Sequence, residues 1–166
     1  MKELLNRYPQ LCVCEDSIRK ALEVIIDTYK KGGKVLVCGN GGSASDCEHI
    51  VGELMKGFLL SRKVTNERIS LDLRENLQGG LPAISLCSHS ALITAFVNDV
   101  KADMVYAQQV YGYAKEEDVV IGITTSGNSA NVVNAICVAK EEEELLADLN
   151  AAIEELIADG TVDTII

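Results

Sequence analysis

Two short stretches carry residue types that could do chemistry. Gly39-Asn40-Gly41-Gly42-Ser43-Ala44-Ser45 directly follows the apolar run Val35-Leu36-Val37-Cys38. Thr124-Thr125-Ser126-Gly127-Asn128-Ser129-Ala130-Asn131 follows a second apolar run, Val119–Ile123. Glycine is costly to order, because it loses the most backbone freedom on folding. Its use between a strand and a helix is to let the backbone approach a ligand closely. A helix N-terminus at that point offers unpaired N–H groups and a partial positive charge. Serine and threonine hydroxyls add further donors. Together these suit a phosphate. An ordinary strand–helix turn with a serine cap would explain either loop alone, but two of one type ask for more. The nucleotide signatures fit poorly. GxxxxGK[ST] is absent, and Gly39-Asn40-Gly41 lacks the later glycine of GxGxxG. A small phosphate monoester fits better. A third feature is the pair His49 and Glu53, which share one helix face at i, i+4. By spacing alone such a pair is usually a surface pair.

Both loops are useful only if the chain brings them to one end of one sheet. Residues 17–33 read as an amphipathic helix with a glycine stop, and 34–39 as a strand buried on both faces. A helix follows over about 44–60, then a more polar helix over 64–80 closed by glycines. Residues 81–87 form the next buried strand, and 88–99 a helix with Ser88 as its N-cap. Residues 104–115 form a helix whose aromatic stripe reads as core packing. Residues 117–140 repeat strand, loop and helix. Strands alternating with helices mean βαβ units, so the fold class is α/β, a doubly wound parallel sheet with right-handed crossovers.

Composition narrows the partners. The 166 residues are 48% hydrophobic with two prolines, which describes a folded globular chain long enough for one sizeable core. The net charge of −10 sits almost wholly in residues 141–166, which hold nine acids and no Lys or Arg. A nearly neutral body with an acidic tail gives no footprint for nucleic acid or an anionic membrane. No apolar run approaches a membrane span, and the N-terminus lacks a signal-peptide pattern. The six cysteines (12, 14, 38, 47, 87 and 137) lack CxxC spacing and read as reduced core thiols, hence a cytoplasmic protein.

Residues 34–54 (KVLVCGNGGSASDCEHIVGEL), 81–86 (LPAISL), 96–99 (FVND) and 118–136 (DVVIGITTSGNSANVVNAI) resemble the SIS (sugar isomerase) family. Within it they are similar to the phosphoheptose (sedoheptulose 7-phosphate) isomerases, over about residues 1–140. The resemblance implies a flavodoxin-like parallel sheet flanked by helices and a cytoplasmic homotetramer with active sites shared between subunits. It also implies interconversion of sedoheptulose 7-phosphate and a glycero-manno-heptose 7-phosphate. Ser43, Thr124, Ser126 and Ser129 then correspond to phosphate ligands, with Thr125 contributing backbone. Asn40, Gly41, Gly42 and Asp99 correspond to substrate-binding positions. His49 and Glu53 fall on the family's positions for metal ligand and general base. Isomerisation through an enediol needs a carboxylate that removes the proton alpha to the carbonyl, and Glu53 is the candidate. His49 with Glu53 would be part of a Zn²⁺ site that polarises that carbonyl. Ala44 stands where many relatives carry His, and His89 decorates a helix start.

The family pattern breaks after Lys140. The terminal helix that supplies a Gln and a His, the remaining metal ligands and the general acid, has no counterpart, since His49 and His89 are the only histidines. Residues 141–166 instead resemble the C-terminal region of periplasmic amino-acid-binding proteins, which points to a chimera. The resulting expectation is a SIS body over 1–140 completed by a foreign-looking helical tail. Its helix would run from Ser129 to Ala158, with any break at Glu141–Glu144, and residues 161–166 would form a strand. The chain is then an isomerase of the phosphoheptose type with impaired turnover. The alternative is a non-catalytic sugar-phosphate-binding or scaffold protein.

Overall fold

A computed structural model of the chain describes residues 1–140. Of the helix expected from Ser129 to Ala158, the described residues include a helix over Ala130–Ala139; its continuation, its break, the strand over 161–166 and the foreign-looking tail lie outside the described residues. The described chain divides into two compact units, Met1–Asp27 (with Lys140) and Thr28–Ala139. The first contains the short helix α1 (Lys2–Arg7), a 3-10 turn over Pro9–Cys14, and the start of α2 (Glu15–Lys30). Within it the buried Cys14 thiol donates to the Leu11 carbonyl at 3.4 Å.

The second unit holds the sheet. Strands β1 (Val35–Gly39), β2 (Ala83–Ser85) and β3 (Val119–Ile123) are all parallel, in the order β2-β1-β3. This is the expected architecture. β1 is the central strand and is buried at every position, as its unbroken apolar run requires. Alternation of side chains sends Leu36 and Cys38 to one face. There they pack with Leu86, Val105, Tyr106, Val110, Val132 and Ala135, so α6 (Val105–Tyr113) and α7 (Ala130–Ala139) cover that face. α3 (Gly42–Met55) packs against β1 and β2 and buries Cys47.

Several expected elements differ in the structure. The helix expected over 44–60 ends at Met55, because the Leu54 carbonyl is taken from outside by Leu81 N–H at 2.9 Å and Arg62 Nη2 at 2.7 Å. The helix expected over 64–80 is reduced to α4 (Leu71–Asn76). Asn66 turns the chain first, its Oδ1 accepting from Arg68 N–H at 3.0 Å, a local bond that competes with helix. Arg62 Nε then ties Gly79 O at 2.5 Å and closes the segment as a loop. α5 (Ser90–Asp99) has His89, not Ser88, at its N-cap, and the Ser88 hydroxyl donates to Glu48 instead. All six cysteines are free thiols, but Cys12 and Cys137 are exposed, so they are not core residues. The aromatic stripe of α6 is core only at Tyr106, since Tyr111 is 80% exposed.

At the N-terminal ends of β1 and β3, the buried Asp118 carboxylate accepts from the backbone of Lys34 and of Lys115, each at 2.8 Å, and pairs with the Lys34 ammonium. Burial alone would raise its pKa. The Lys34 ammonium and the two backbone donors outweigh burial and hold it below the ordinary 3.8. A carboxylate whose folded pKa is depressed stabilises the fold above its unfolded value and loses that contribution as pH falls through the folded one. Asp118→Ala should therefore cost about 2 to 3 kcal/mol in urea unfolding at pH 7, the low end for a buried pair because Lys34 is partly exposed. The gap should narrow below about pH 4; a gap constant down to pH 3 would contradict this assignment.

Candidate functional site

The two glycine–serine loops begin where β1 and β3 end. The parallel register pairs Val35 with Val119 and runs without offset to Gly39 with Ile123. The first loop and the second therefore leave the sheet side by side at its carboxyl end. Between them lies a hollow of about 90 Å³ lined by Asn40, Ser43, Ile123, Thr124, Thr125 and Ser129.

Each loop is shaped by its own chemistry. Gly41 is the N-cap of α3 at φ 56° and ψ −122°, backbone that L side chains rarely adopt. Gly39 lies so close to the first turn of α3 that a Cβ there would meet Ser43 Cβ at 2.9 Å and Ile123 O at 3.0 Å. As the first amides of a helix, Gly42 and Ser43 N–H have no intrahelical acceptor. In the second loop the Thr124 hydroxyl lies 3.0 Å from the Ser129 hydroxyl and 3.4 Å from that of Ser126, which accepts from Asn128 N–H at 3.2 Å. The arrangement is a pocket of hydroxyls and helix N-terminal amides, with neither acid nor base among its lining residues.

Under the first loop the Gly39 carbonyl accepts from the Tyr106 hydroxyl at 2.6 Å and from the Cys87 thiol at 3.2 Å. Burial, followed by the neighbouring Cys87, pushes the Cys38 and Cys47 thiols up to about 12. Burial also raises the Tyr106 hydroxyl, so Tyr106, Cys38 and Cys47 stay protonated and neutral at physiological pH.

The sequence-predicted residues separate into groups. Asn40, Ser43, Thr124, Thr125 and Ser129 line the hollow; Gly41 and Gly42, the N-cap and first residue of α3, are not among its lining residues, and Ser126 bonds Thr124 from outside the lining. Asp99 ends α5, is exposed, accepts from Asn98 at 2.7 Å, and is not among the lining residues. His49 and Glu53 lie on one face of α3, Nε2 to Oε1 3.6 Å, with side chains 77% and 49% exposed. His49 stands seven residues after the start of α3, about two turns beyond the loop. His89 is at a helix start as expected, its Nδ1 2.6 Å from Gln109 Oε1. A catalytic zinc takes three protein ligands. Among the described residues no group of three His, Cys, Asp or Glu could hold a metal. His49 and Glu53 by themselves do not complete such a site.

Sequence reasoning missed Tyr106 and Asn131. Tyr106 was hidden inside an aromatic stripe, and Asn131, flanked by Ala130 and Val132, carries no local sign of its partner 91 residues away.

The sequence pattern of the SIS domain matches residues 11–146. The chain belongs to the SIS domain family. Among relatives, the phosphoheptose isomerase of Clostridium acetobutylicum is 40% identical over 126 residues, which is 76% of this chain and 56% of that protein. That of Helicobacter pylori strain P12 is 39% identical over 127 residues, 76% of this chain and 58% of that protein. This SIS domain chain thus spans little more than half the length of these relatives. Two solved phosphoheptose isomerases share its fold. The Neisseria gonorrhoeae structure gives a TM-score of 0.60 at 32% identity, covering 75% of this chain and 56% of that one. The Francisella tularensis structure gives 0.62 at 29% identity, covering 82% and 68%.

Gly41→Ala should cost about 1 to 3 kcal/mol in thermal unfolding, because alanine is strained at that backbone conformation. Amide exchange at Gly42 and Ser43 should quicken as the first turn of α3 loosens. Unchanged stability would show that the loop takes another conformation.

Proposed function

We propose that the chain binds a sugar phosphate by its phosphate group in the hollow between the two loops, and that it is an isomerase of the phosphoheptose type. The observation that carries the reading is the convergence of Ser43, Thr124 and Ser129 on one neutral hollow at the carboxyl ends of adjacent parallel strands. A phosphate there would replace the bonds that Thr124 now makes with Ser126 and Ser129. The relatives named phosphoheptose isomerases support a heptose phosphate as the substrate class; sedoheptulose 7-phosphate and its aldose isomer belong to the same proposal.

In this reading Asn40 and Asp99 contact the sugar, and Glu53 is the base that moves a proton between the carbons flanking the carbonyl. An exposed carboxylate on one subunit suits a site completed by a second subunit. Phe58, Leu59 and Leu60, exposed by 77, 87 and 77%, supply apolar surface for such a homo-oligomer, a dimer or tetramer. A Zn²⁺ held in part by His49 and Glu53 and a cytoplasmic location belong to the same proposal. Among the described residues no helix is long and apolar enough to cross a membrane. Neither the relatives nor the described residues support loss of turnover or a non-catalytic scaffold role.

The test is calorimetry with sedoheptulose 7-phosphate beside a coupled isomerase assay. Replacing Thr124 and Ser129 together with Ala should weaken binding about tenfold or more, from two hydrogen bonds to a charged group. Glu53→Gln should leave affinity close to wild type and remove turnover. Unchanged affinity in the first variant would overturn the site, and unchanged turnover in the second would overturn the role of Glu53.

A further inference from the structure

Asn40 and Asn131 are 91 residues apart and exchange both amide hydrogen bonds. Asn40 Nδ2 donates to Asn131 Oδ1 at 2.9 Å, and Asn131 Nδ2 donates to Asn40 Oδ1 at 2.9 Å. Taken alone, a reciprocal amide pair reads the same if both amides are turned over. The backbone removes that ambiguity. Asn131 Oδ1 also accepts from Val132 N–H at 3.0 Å, and a backbone N–H can only donate. The Asn131 oxygen is therefore fixed, its Nδ2 faces Asn40, and the Asn40 oxygen must face Asn131. The Tyr106 hydroxyl, whose proton goes to Gly39 O at 2.6 Å, stands 3.4 Å from that same Asn40 oxygen and crowds it further.

We propose that Asn131 is a positioning residue that makes Asn40 a one-way hydrogen-bond donor toward the ligand. With Oδ1 engaged by Asn131, the group Asn40 has left for the hollow is its second Nδ2 hydrogen. The ligand atom it meets must be an acceptor, such as a phosphate or carbonyl oxygen or a hydroxyl lone pair. A ligand presenting only a donor there is refused. The same pair joins the first residue after β1 to the first turn of α7, so it also sets the spacing between the two loops. This inference rests on the sugar-phosphate reading of the hollow.

A double-mutant cycle on sedoheptulose 7-phosphate affinity tests it, with thermal unfolding recorded for every variant. Asn40→Ala and Asn131→Ala should each weaken binding about fivefold, the worth of one neutral hydrogen bond. The double variant should bind no more weakly than Asn40→Ala alone. A purely structural role would lower the melting temperature without that coupling. If Asn131→Ala does not fold, Asn131→Asp keeps the shape and the acceptor for Val132 N–H but loses the donor. In that background Asn40→Ala should change affinity no further. Wild-type affinity in Asn131→Ala, or two losses that simply multiply, would overturn the inference while leaving the site intact. A wild-type chain that binds no sugar phosphate would overturn the reading on which it rests.

Discussion

The register of β1 against β3 is the constraint on which the site depends. Five residues pair with five without offset, and the glycine–serine loops start at the next residue of each strand. A slip of one residue would turn every side chain of β3 to the other face. It would bury Val119 and Ile121 where Val120 and Gly122 now sit, and lift one loop about 3.3 Å past the other. Val132 of α7 makes this slip costly, because it packs where a Cβ on Gly122 would lie only 2.6 Å away. The side-by-side placement of the two donor-bearing loops is thus a property of strand pairing, and the loops supply only the donors.

Helix α6 contributes nothing to the lining of the hollow, yet holds the strand ends in place. Tyr106 and Gln109 lie at i, i+3 on one buried face of it. Tyr106 donates to the carbonyl that ends β1, and Gln109 Nε2 donates to Leu86 O just after β2, at 3.0 Å. A buried carbonyl without a donor costs more than a hydrogen bond returns, and at Gly39 the Tyr106 hydroxyl adds to the weaker Cys87 thiol donor. Two polar side chains in an apolar helix face are the physical answer. Burial keeps the neighbouring Cys38 and Cys47 thiols protonated, so neither adds a buried charge next to the loop.

How much of this was legible in the sequence follows from the range of each interaction. The apolar runs of β1 and β3 and the composition of the loops are local, and from them the sheet class and the lining residues Ser43, Thr124 and Ser129 could be read. The i, i+4 relation of His49 and Glu53 is local too, and the structure keeps it. The segment 64–80 misled because helical composition was outweighed by one side chain, Asn66, bonding its own backbone, and by the distant clasp of Arg62 on Gly79. Ser88 looked like a cap until its hydroxyl found Glu48, forty residues away. Asn131 could not be assigned from the chain alone, because its partner is brought to it only by the pairing of two strands.

The β1–β3 pair is held at both ends by polar contacts of opposite kind. Before the strands, Lys34 and Asp118 form a charged and largely buried pair, with Asp118 only 3% exposed. After them, Asn40 and Asn131 form a neutral and exposed one. The difference suits the two places. Away from the site, a buried ion pair with added backbone bonds is strongly destabilising to break and so fixes the register. In the proposed phosphate site, a carboxylate in the clamp would repel the ligand, and an ammonium paired to it would be partly neutralised before the ligand arrived. Two amides join the loops without adding charge of either sign. In that reading the attraction for the anion is left to the N-terminus of α3 and the hydroxyls of the second loop, which need not be released from an ion pair first.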